Sequence, residues 1–184
     1  VDPLYRRMLI AAEDRHFEAH WGVDPLAVLR AAGQWLAHGH VVSGASTLTM
    51  QAVRLLERRP RTLAAKIVES GEALALERRR GKDAILDIYL TLAPFGGNLE
   101  GVRAASLAYF GKEPAHLTAA EAALLVAIPR SPERLRPDRH PAAARQARDA
   151  VLRRLSAAGV VPAQDFAEAS AEPVPQARAA LPFH

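Results

Sequence analysis

Repeated helix-start signals constrain the fold of this chain more than any other feature of its sequence. The Asp-Pro pairs at residues 2–3 and 24–25 each place an N-cap side chain before a proline, whose fixed φ suits the first turn of a helix. Thr118 and Glu121 have the spacing of a capping box. Alanine and leucine dominate, 5% of the residues are aromatic, and no segment alternates polar and apolar residues as a strand does. The sequence therefore predicts a mainly α fold.

Helices are predicted from Asp2 toward Phe17, from Asp24 to near Gly39, from Ser46 or Thr47 through Glu57, from Thr62 to Arg80, from Lys82 to Leu92, from Thr118 to Ile128 and from Ala142 to about Ala158. Four prolines and many charges between Pro129 and Pro141 predict an extended surface loop. Residues 1–172 are expected to form one domain, and residues 173–184 a linker toward a further domain.

Several kinds of site and segment are missing from the sequence. The chain has no cysteine, which excludes disulfides and thiolate metal sites. It has no run of about 18 apolar residues, so no membrane span is predicted within it. Its first residues have the pattern of a helix interior and not that of a signal peptide, which predicts that the chain is part of a longer protein.

The positive charge of the chain favours partners that carry phosphate. The formal net charge is +4, and Lys66, Lys82 and Lys112 are the only lysines among 24 cationic residues. Arginine offers a planar fork that suits phosphate oxygens, although a codon bias toward arginine explains the same ratio. A basic surface fits nucleic acid, anionic lipid or a pyrophosphate substrate.

The segment from Glu13 to Gly22 is the first candidate for chemistry. Partial burial beside Phe17 would raise the pKa of a nearby carboxylate, which is the tuning that a general base needs. A solvated, charged helix end is the alternative interpretation. A third interpretation is a metal site, because Glu13, His16 and His20 recur at about one helical turn.

Two further segments carry an anion-site pattern and an acid–base pair. Residues 44–51 place a glycine and hydroxyls at a helix start, where free N–H groups bind anions, and Arg54 adds a cation one turn later. An ordinary helix cap explains the same residues. Lys66 and Glu69 are one turn apart and fit a surface salt bridge as well as a functional pair.

A fourth segment, residues 82–90, fits a packing helix on which Lys82 and Tyr89 are either surface groups or contacts.

Taken together, five segments resemble the motifs of the peptidoglycan glycosyltransferase domain of class A penicillin-binding proteins in their order and spacing. These segments are EDRHFEAHWG, GASTLTMQ, KIVE, KDAILDIYL and RDAVL. TMQ, APFGG and IPRSPERLRPDRHP are most similar to the 1C type of these proteins.

The resemblance implies a lysozyme-like, α-helical fold with a cleft between a head lobe and a smaller jaw lobe. It implies that the domain polymerises lipid II into β-1,4-linked glycan, inverting the donor anomeric carbon and releasing undecaprenyl pyrophosphate. Glu13 would deprotonate the acceptor hydroxyl, and Glu69 would assist catalysis in the same cleft. The other residues that match the motifs would bind lipid II and the growing glycan strand. They are Asp14, Phe17, His20, Gly44, Ser46, Thr47, Gln51, Arg54, Arg61, Lys66, Lys82, Tyr89 and, in the fifth motif, Arg148.

The resemblance also implies partners and a location. No cofactor is obligatory, and a divalent cation such as Mg²⁺ near Glu69 is left open. Residues 24–39 would contact the membrane surface at the periplasmic face of the bacterial inner membrane. A C-terminal transpeptidase domain is expected in the intact protein, nucleic acid is not expected as a partner, and moenomycin-like phosphoglycolipids are expected to inhibit.

Some residues depart from the family pattern. Met50 stands where a glutamine is usual, and Ala45, Ala65 and Thr91 replace a glycine, an arginine and an asparagine. The missing arginine at position 65 predicts one cation fewer for the donor and a slower turnover.

Two rival functions compete with this assignment. A lysozyme-like hydrolase also needs a catalytic glutamate, but it does not need the cations Arg54, Arg61 and Lys66. A basic binding module is disfavoured because the sequence contains no recognition helix and no aromatic-plus-basic RNA motif.

Overall fold

The computed structural model describes residues 1–38, 46–57 and 62–179, and within them it contains helices and no strand, with one isolated β-bridge between Pro94 and Glu100. The predicted mainly α class is confirmed. The helices are α1 Pro3–Glu13, α2 Pro25–His38, α3 Leu48–Glu57, α4 Leu63–Arg79, α5 Lys82–Leu92, α6 Val102–Phe110, α7 Ala119–Ala127, α8 Pro141–Ala157 and α9 Ala163–Ala171. A 3₁₀ turn, Ile128–Arg130, follows α7.

The chain divides into two compact units. The terminal unit comprises Val1–Ala12 and Leu90–His184, and the central unit comprises Glu13–Tyr89. None of the helices in the described residues is both long enough and apolar enough to cross a bilayer.

The terminal unit is built around α7. Nearly all of α7 is apolar and buried, and it packs against α8 and α9. The capping box at its start is present as predicted: Thr118 Oγ1 accepts from the backbone of Glu121, and the Glu121 carboxylate accepts from the backbone of Thr118. The buried face of α8 supplies Val151, Leu152 and Leu155 to the same core.

In the central unit, α3 packs against α4 around Met50, Val53 and Ala73. Met50, one of the residues that depart from the family pattern, is 1% exposed and therefore serves as a core residue. Gly22 brings the preceding loop against α4. It has a φ of 97°, and a Cβ there would lie 2.6 Å from the carbonyl carbon of Ala73, so a larger residue does not fit.

Two boundary predictions are wrong. α1 ends at Glu13 and does not continue to Phe17, because the Asp14 carboxylate bonds to other segments and the chain turns, with Phe17 N donating to Asp14 O. The segment predicted as an extended loop, residues 129–141, instead continues the 3₁₀ turn, forms further turns up to residue 139 and ends at the first residue of α8, and Arg136 within it is buried.

Two helices and one docked segment were not predicted. α6 lies between Gly101 and Gly111, both with positive φ, and α9 follows Pro162. Residues 173–179 pack on the terminal unit, where Val174 is buried and Ala179 N donates to Ala108 O at 2.7 Å. Residues 180–184 lie outside the described residues, and a linker role for residues 173–184 stays a prediction.

Candidate active site

Glu13 is the last residue of α1 and is half-buried. Gln51 on α3 donates from Nε2 to Glu13 Oε2 at 3.3 Å. A neutral amide donor orients a carboxylate without adding a charge of its own. This arrangement suits a general base.

Asp14 and His20 form a buried pair behind Glu13. His20 Nδ1 accepts from Gly22 N at 3.1 Å, so the ring hydrogen lies on Nε2, which is 2.9 and 3.0 Å from the two Asp14 oxygens. Asp14 Oδ2 also accepts from Leu48 N, at the first residue of α3. Phe17 is fully buried beside this pair. Burial of these three side chains favours a positioning role, and direct contact with substrate stays a prediction.

His16 bonds to a different aspartate. Its Nδ1 lies 2.8 Å from Asp24 Oδ2, while Asp24 Oδ1 accepts from the backbone N–H groups of Leu26 and Ala27 and so caps α2. Burial raises the pKa of Asp24, but the hydrogen bonds from His16 and the backbone outweigh it and hold the pKa below its usual value. The metal interpretation is wrong for His16 and His20, because their rings face different aspartates and no metal-binding cluster occurs among the described residues.

Arg54 and Glu69 form a two-point ion pair. Arg54 Nε and Nη2 donate to the two Glu69 oxygens at 2.8 and 2.6 Å. Glu69 is 1% exposed, and these hydrogen bonds raise the pKa of Arg54 above its usual value despite some burial. The predicted alternative, a surface pair between Lys66 and Glu69, is therefore wrong. A divalent cation near Glu69 stays a prediction.

Glu77 on α4 is a site-forming residue that the sequence reasoning missed. Its Oε1 accepts from Thr49 Oγ1 and from Lys82 Nζ, both at 2.6 Å. Lys82 Nζ also donates to His20 O at 2.6 Å and lies 4.6 Å from the centroid of the Phe17 ring. Lys82, predicted to bind substrate, thus fixes the loop that follows Glu13.

The remaining predicted site residues have varied surroundings. Thr47 caps α3: its Oγ1 accepts from Met50 N at 3.1 Å and donates to Gly22 O at 2.6 Å. Ser46 and Lys66 are half-buried, and Tyr89 on α5 is buried. Gly44 and Arg61 lie outside the described residues, so the structure does not place them.

Arg148 belongs to the terminal unit, whereas the other predicted site residues that the structure describes belong to the central unit. It is 1% exposed, and its guanidinium bonds to Asp149 and to the carbonyls of Glu172 and Ser170. These contacts hold the chain at the end of α9. A substrate contact for Arg148 stays a prediction.

Comparison with known proteins places this geometry in a family. The sequence model of the Transglycosylase family matches residues 1–156. Penicillin-binding protein 1C of Escherichia coli (strain K12) is 49% identical over 174 residues, which are 95% of this chain and 23% of the relative. Penicillin-binding protein 1A of Aquifex aeolicus (strain VF5) is 40% identical over 166 residues, 90% of this chain and 23% of the relative.

A solved structure shares the fold. The crystal structure of penicillin-binding protein 1A from Haemophilus influenzae has a TM-score of 0.52 at 24% sequence identity, with 74% of this chain and 17% of that chain covered. The chain spans less than a quarter of the length of the two curated relatives. The predicted resemblance is confirmed by the family match and by the extent of identity to the 1C protein. The chain belongs to the transglycosylase family, with the transglycosylase domains of class A penicillin-binding proteins as its relatives.

Proposed function

We propose that this domain polymerises lipid II into β-1,4-linked peptidoglycan strands, with Glu13 as the general base. The observation that carries the proposal is the arrangement on α3. Gln51 and Arg54 are three residues apart on this helix and therefore share a face; one donates to Glu13 and the other to Glu69. A single helix thus holds both acidic side chains that the sequence assigned to catalysis.

The proposed reaction is a direct displacement. Glu13 takes the proton from the acceptor sugar hydroxyl, and the oxygen of that hydroxyl attacks the anomeric carbon of the donor glycan. The carbon–oxygen bond to undecaprenyl pyrophosphate breaks, and the pyrophosphate leaves with the electron pair. Direct attack by the incoming oxygen inverts the anomeric carbon without a covalent enzyme intermediate.

Arg54 supplies fixed positive charge for the leaving pyrophosphate. Its side chain is 28% exposed, whereas that of Glu69 is 1% exposed, so the cation faces solvent and the buried carboxylate holds it in place. Preorganised cations stabilise charge that develops in the transition state without reorganising. Glu69 therefore acts through Arg54, and the proposed mechanism routes no step through a metal ion.

The position of exposed apolar side chains supports contact between the central unit and a membrane surface. Among the described residues, every exposed large hydrophobic side chain except Val1 lies between positions 21 and 74. Trp21, Leu26 and Leu29 are more than half exposed and lie at or near the start of α2. Trp21, Leu26 and Leu74 also line an apolar cavity of about 420 Å³. An apolar face with an indole suits the bilayer interface, where the substrate lipid is held.

The biological setting follows from the proposed substrate. We place the domain at the periplasmic face of the inner membrane, with a transpeptidase domain following it in the intact protein. Mg²⁺ or another divalent cation is not built into the proposal. Moenomycin-like phosphoglycolipids are expected to compete for the donor half of the site, and nucleic acid is not a proposed partner.

Labelled lipid II and the Glu13→Gln variant test the proposed function. Wild type is expected to form polymer on a gel, and Glu13→Gln, which keeps the shape of the side chain but not its basicity, is expected to lose activity by at least about 100-fold. Glu18→Gln serves as the matched control in the same loop. Circular dichroism establishes that both variants are folded.

Two outcomes would contradict the assignment. Shortening of preformed glycan without polymer synthesis would identify a hydrolase. Equal activity of wild type and Glu13→Gln would remove Glu13 as the base.

A further inference from the structure

Glu77 joins the segments that surround the proposed catalytic base, although it lies outside the five sequence motifs. Its side chain is 9% exposed, and its Oε1 accepts from Thr49 Oγ1 and Lys82 Nζ, both at 2.6 Å. Thr49 is fully buried on the first turn of α3, and Lys82 is the first residue of α5. One carboxylate oxygen on α4 therefore ties α3 to α5.

The same carboxylate reaches the loop after Glu13 through Lys82. The Lys82 ammonium donates to His20 O and stands over the Phe17 ring. Glu77 Oε1 also lies 4.0 Å from His20 Nδ1. A largely buried ammonium needs a compensating charge, and Glu77 provides it. Without that charge, Lys82 would be drawn toward water and away from the loop.

The first turn of α3 passes this constraint to the base. Leu48 N donates to Asp14, the residue after Glu13, and Thr49 donates to Glu77. Gln51 follows two residues later and donates to Glu13 at 3.3 Å. This distance is already slightly longer than the usual range of about 2.7–3.2 Å, so a further separation of α3 from Glu13 would break the hydrogen bond.

We propose that Glu77 is a positioning residue for the transglycosylase reaction. It fixes the position of α3 relative to the 14–22 loop, so that Gln51 orients the Glu13 carboxylate toward the acceptor hydroxyl. Glu77 does not touch the reacting atoms. This inference rests on the proposed function, because it assigns Glu13 the role of base.

A purely structural Glu77 would stabilise the fold without affecting the chemical step. The two roles separate in the kinetic constants. A misplaced base lowers kcat and leaves KM for lipid II nearly unchanged, whereas partial unfolding lowers the amount of active enzyme and is relieved by cooling. The variants are therefore compared at a temperature well below the unfolding transition of each, with the folded fraction measured.

Glu77→Gln is the test substitution, and Glu72→Gln makes the same change five residues earlier on α4. Glu77→Gln is expected to lower kcat about 10–100-fold with KM changed less than about twofold, since small misplacement of a catalytic group has effects of this size. Glu72→Gln is expected to stay within about twofold of wild type. An unchanged kcat in folded Glu77→Gln would overturn the inference.

A double variant tests the route through α3. If Glu77 acts through Gln51, the double variant Glu77→Gln/Gln51→Ala should have about the same kcat as the slower of the two single variants. Losses in kcat that multiply would overturn the route.

Thr49 offers a conservative pair for the same test. Thr49→Val keeps the shape but removes the donor to Glu77, and it should lower kcat several-fold; Thr49→Ser keeps the hydroxyl and should retain most of the rate. Equal rates for the two would overturn the role of this hydrogen bond. Wild type that forms no polymer would refute the proposed function itself, whereas active wild type with equally active Glu77→Gln would refute the Glu77 inference.

Discussion

The Arg54–Glu69 pair is asymmetric, because the carboxylate is sealed from solvent and the guanidinium is not. Glu69 is 1% exposed, and both of its oxygens depend on Arg54. Removing one partner of a buried pair is costly when the group left behind is charged and has no access to water. The two possible truncations of this pair should therefore differ in stability.

Arg54→Ala is expected to lower the free energy of unfolding by about 3–5 kcal/mol, because it leaves the Glu69 charge buried. Glu69→Gln should lower the free energy of unfolding by less, because the amide oxygen still accepts one hydrogen bond and the Arg54 guanidinium reaches solvent. Urea unfolding at pH 7 measures both losses. A larger loss for Glu69→Gln would contradict this account.

The partners of single residues were the least predictable part of the site. Helical spacing pairs Glu69 with Lys66 on the same helix, but the tertiary fold brings Arg54 from α3. Glu77 and Lys82 are five residues apart across a helix break, so no periodic pattern joins them. Glu13 was assigned from the order and spacing of five motifs, because its own segment fits a charged helix end equally well, and its role as the base stays a prediction.

Among the helices, starts with a proline at the first helical position or with a capping side chain were predictable. α2, α3, α5, α7 and α8 begin within a residue or two of the predicted positions. α6 and α9 were missed because α6 begins at Gly101, which has no side chain to cap the helix, and α9 follows Pro162 without a side-chain cap. Burial of α6 within the terminal unit compensates for the weak local signal.

α2 is the helix through which we expect membrane contact. Leu29 on α2 and Leu56 on α3 are both more than half exposed, so serine at either position removes a similar apolar area from solvent. Leu29→Ser should weaken binding to vesicles of anionic lipid about tenfold, because inserting one leucine contributes about 1.5–3 kcal/mol when fully buried. Leu56→Ser should leave the affinity within about twofold. Co-sedimentation with vesicles measures both, and equal losses would remove α2 from the interface.

For the molecule as a whole, the division into two units separates two tasks. The central unit carries Glu13 and Glu69 with their partners, while a cluster of charges in the terminal unit holds the segment that contains Arg178. Arg136 donates to Asp138 through Nε and Nη2 at 3.2 and 2.7 Å, and Arg178 Nε lies 3.4 Å from the same carboxylate. Arg178 also donates to Gly96 O at 3.3 Å. Asp138 thus joins its own turn to the segment at Arg178, and Arg178 extends the cluster to the turn at Gly96.

This cluster should make the terminal unit sensitive to acid. The hydrogen bond from Arg136, which outweighs burial, and the nearby positive charges hold the pKa of Asp138 below its usual value. A lowered pKa in the folded state contributes stability that is complete above the unfolded value of about 3.9 and is lost as the pH falls through the folded pKa. Asp138→Asn should therefore lose about 1–3 kcal/mol at pH 7 and show a shallower loss of stability below about pH 4.

Urea unfolding between pH 3 and 7 measures this slope, and Asp165→Asn, the same substitution elsewhere in the same unit, is the control. Hydrogen exchange localises the effect: at pH 7, Asp138→Asn should speed exchange in residues 172–179 and in the turn at 94–97. Neither segment shares a helix with Asp138. Faster exchange in both segments would therefore show that the charge cluster joins them. Unchanged exchange in residues 172–179 would show that Arg148 and the backbone bond from Ala179 to Ala108 suffice to hold that segment.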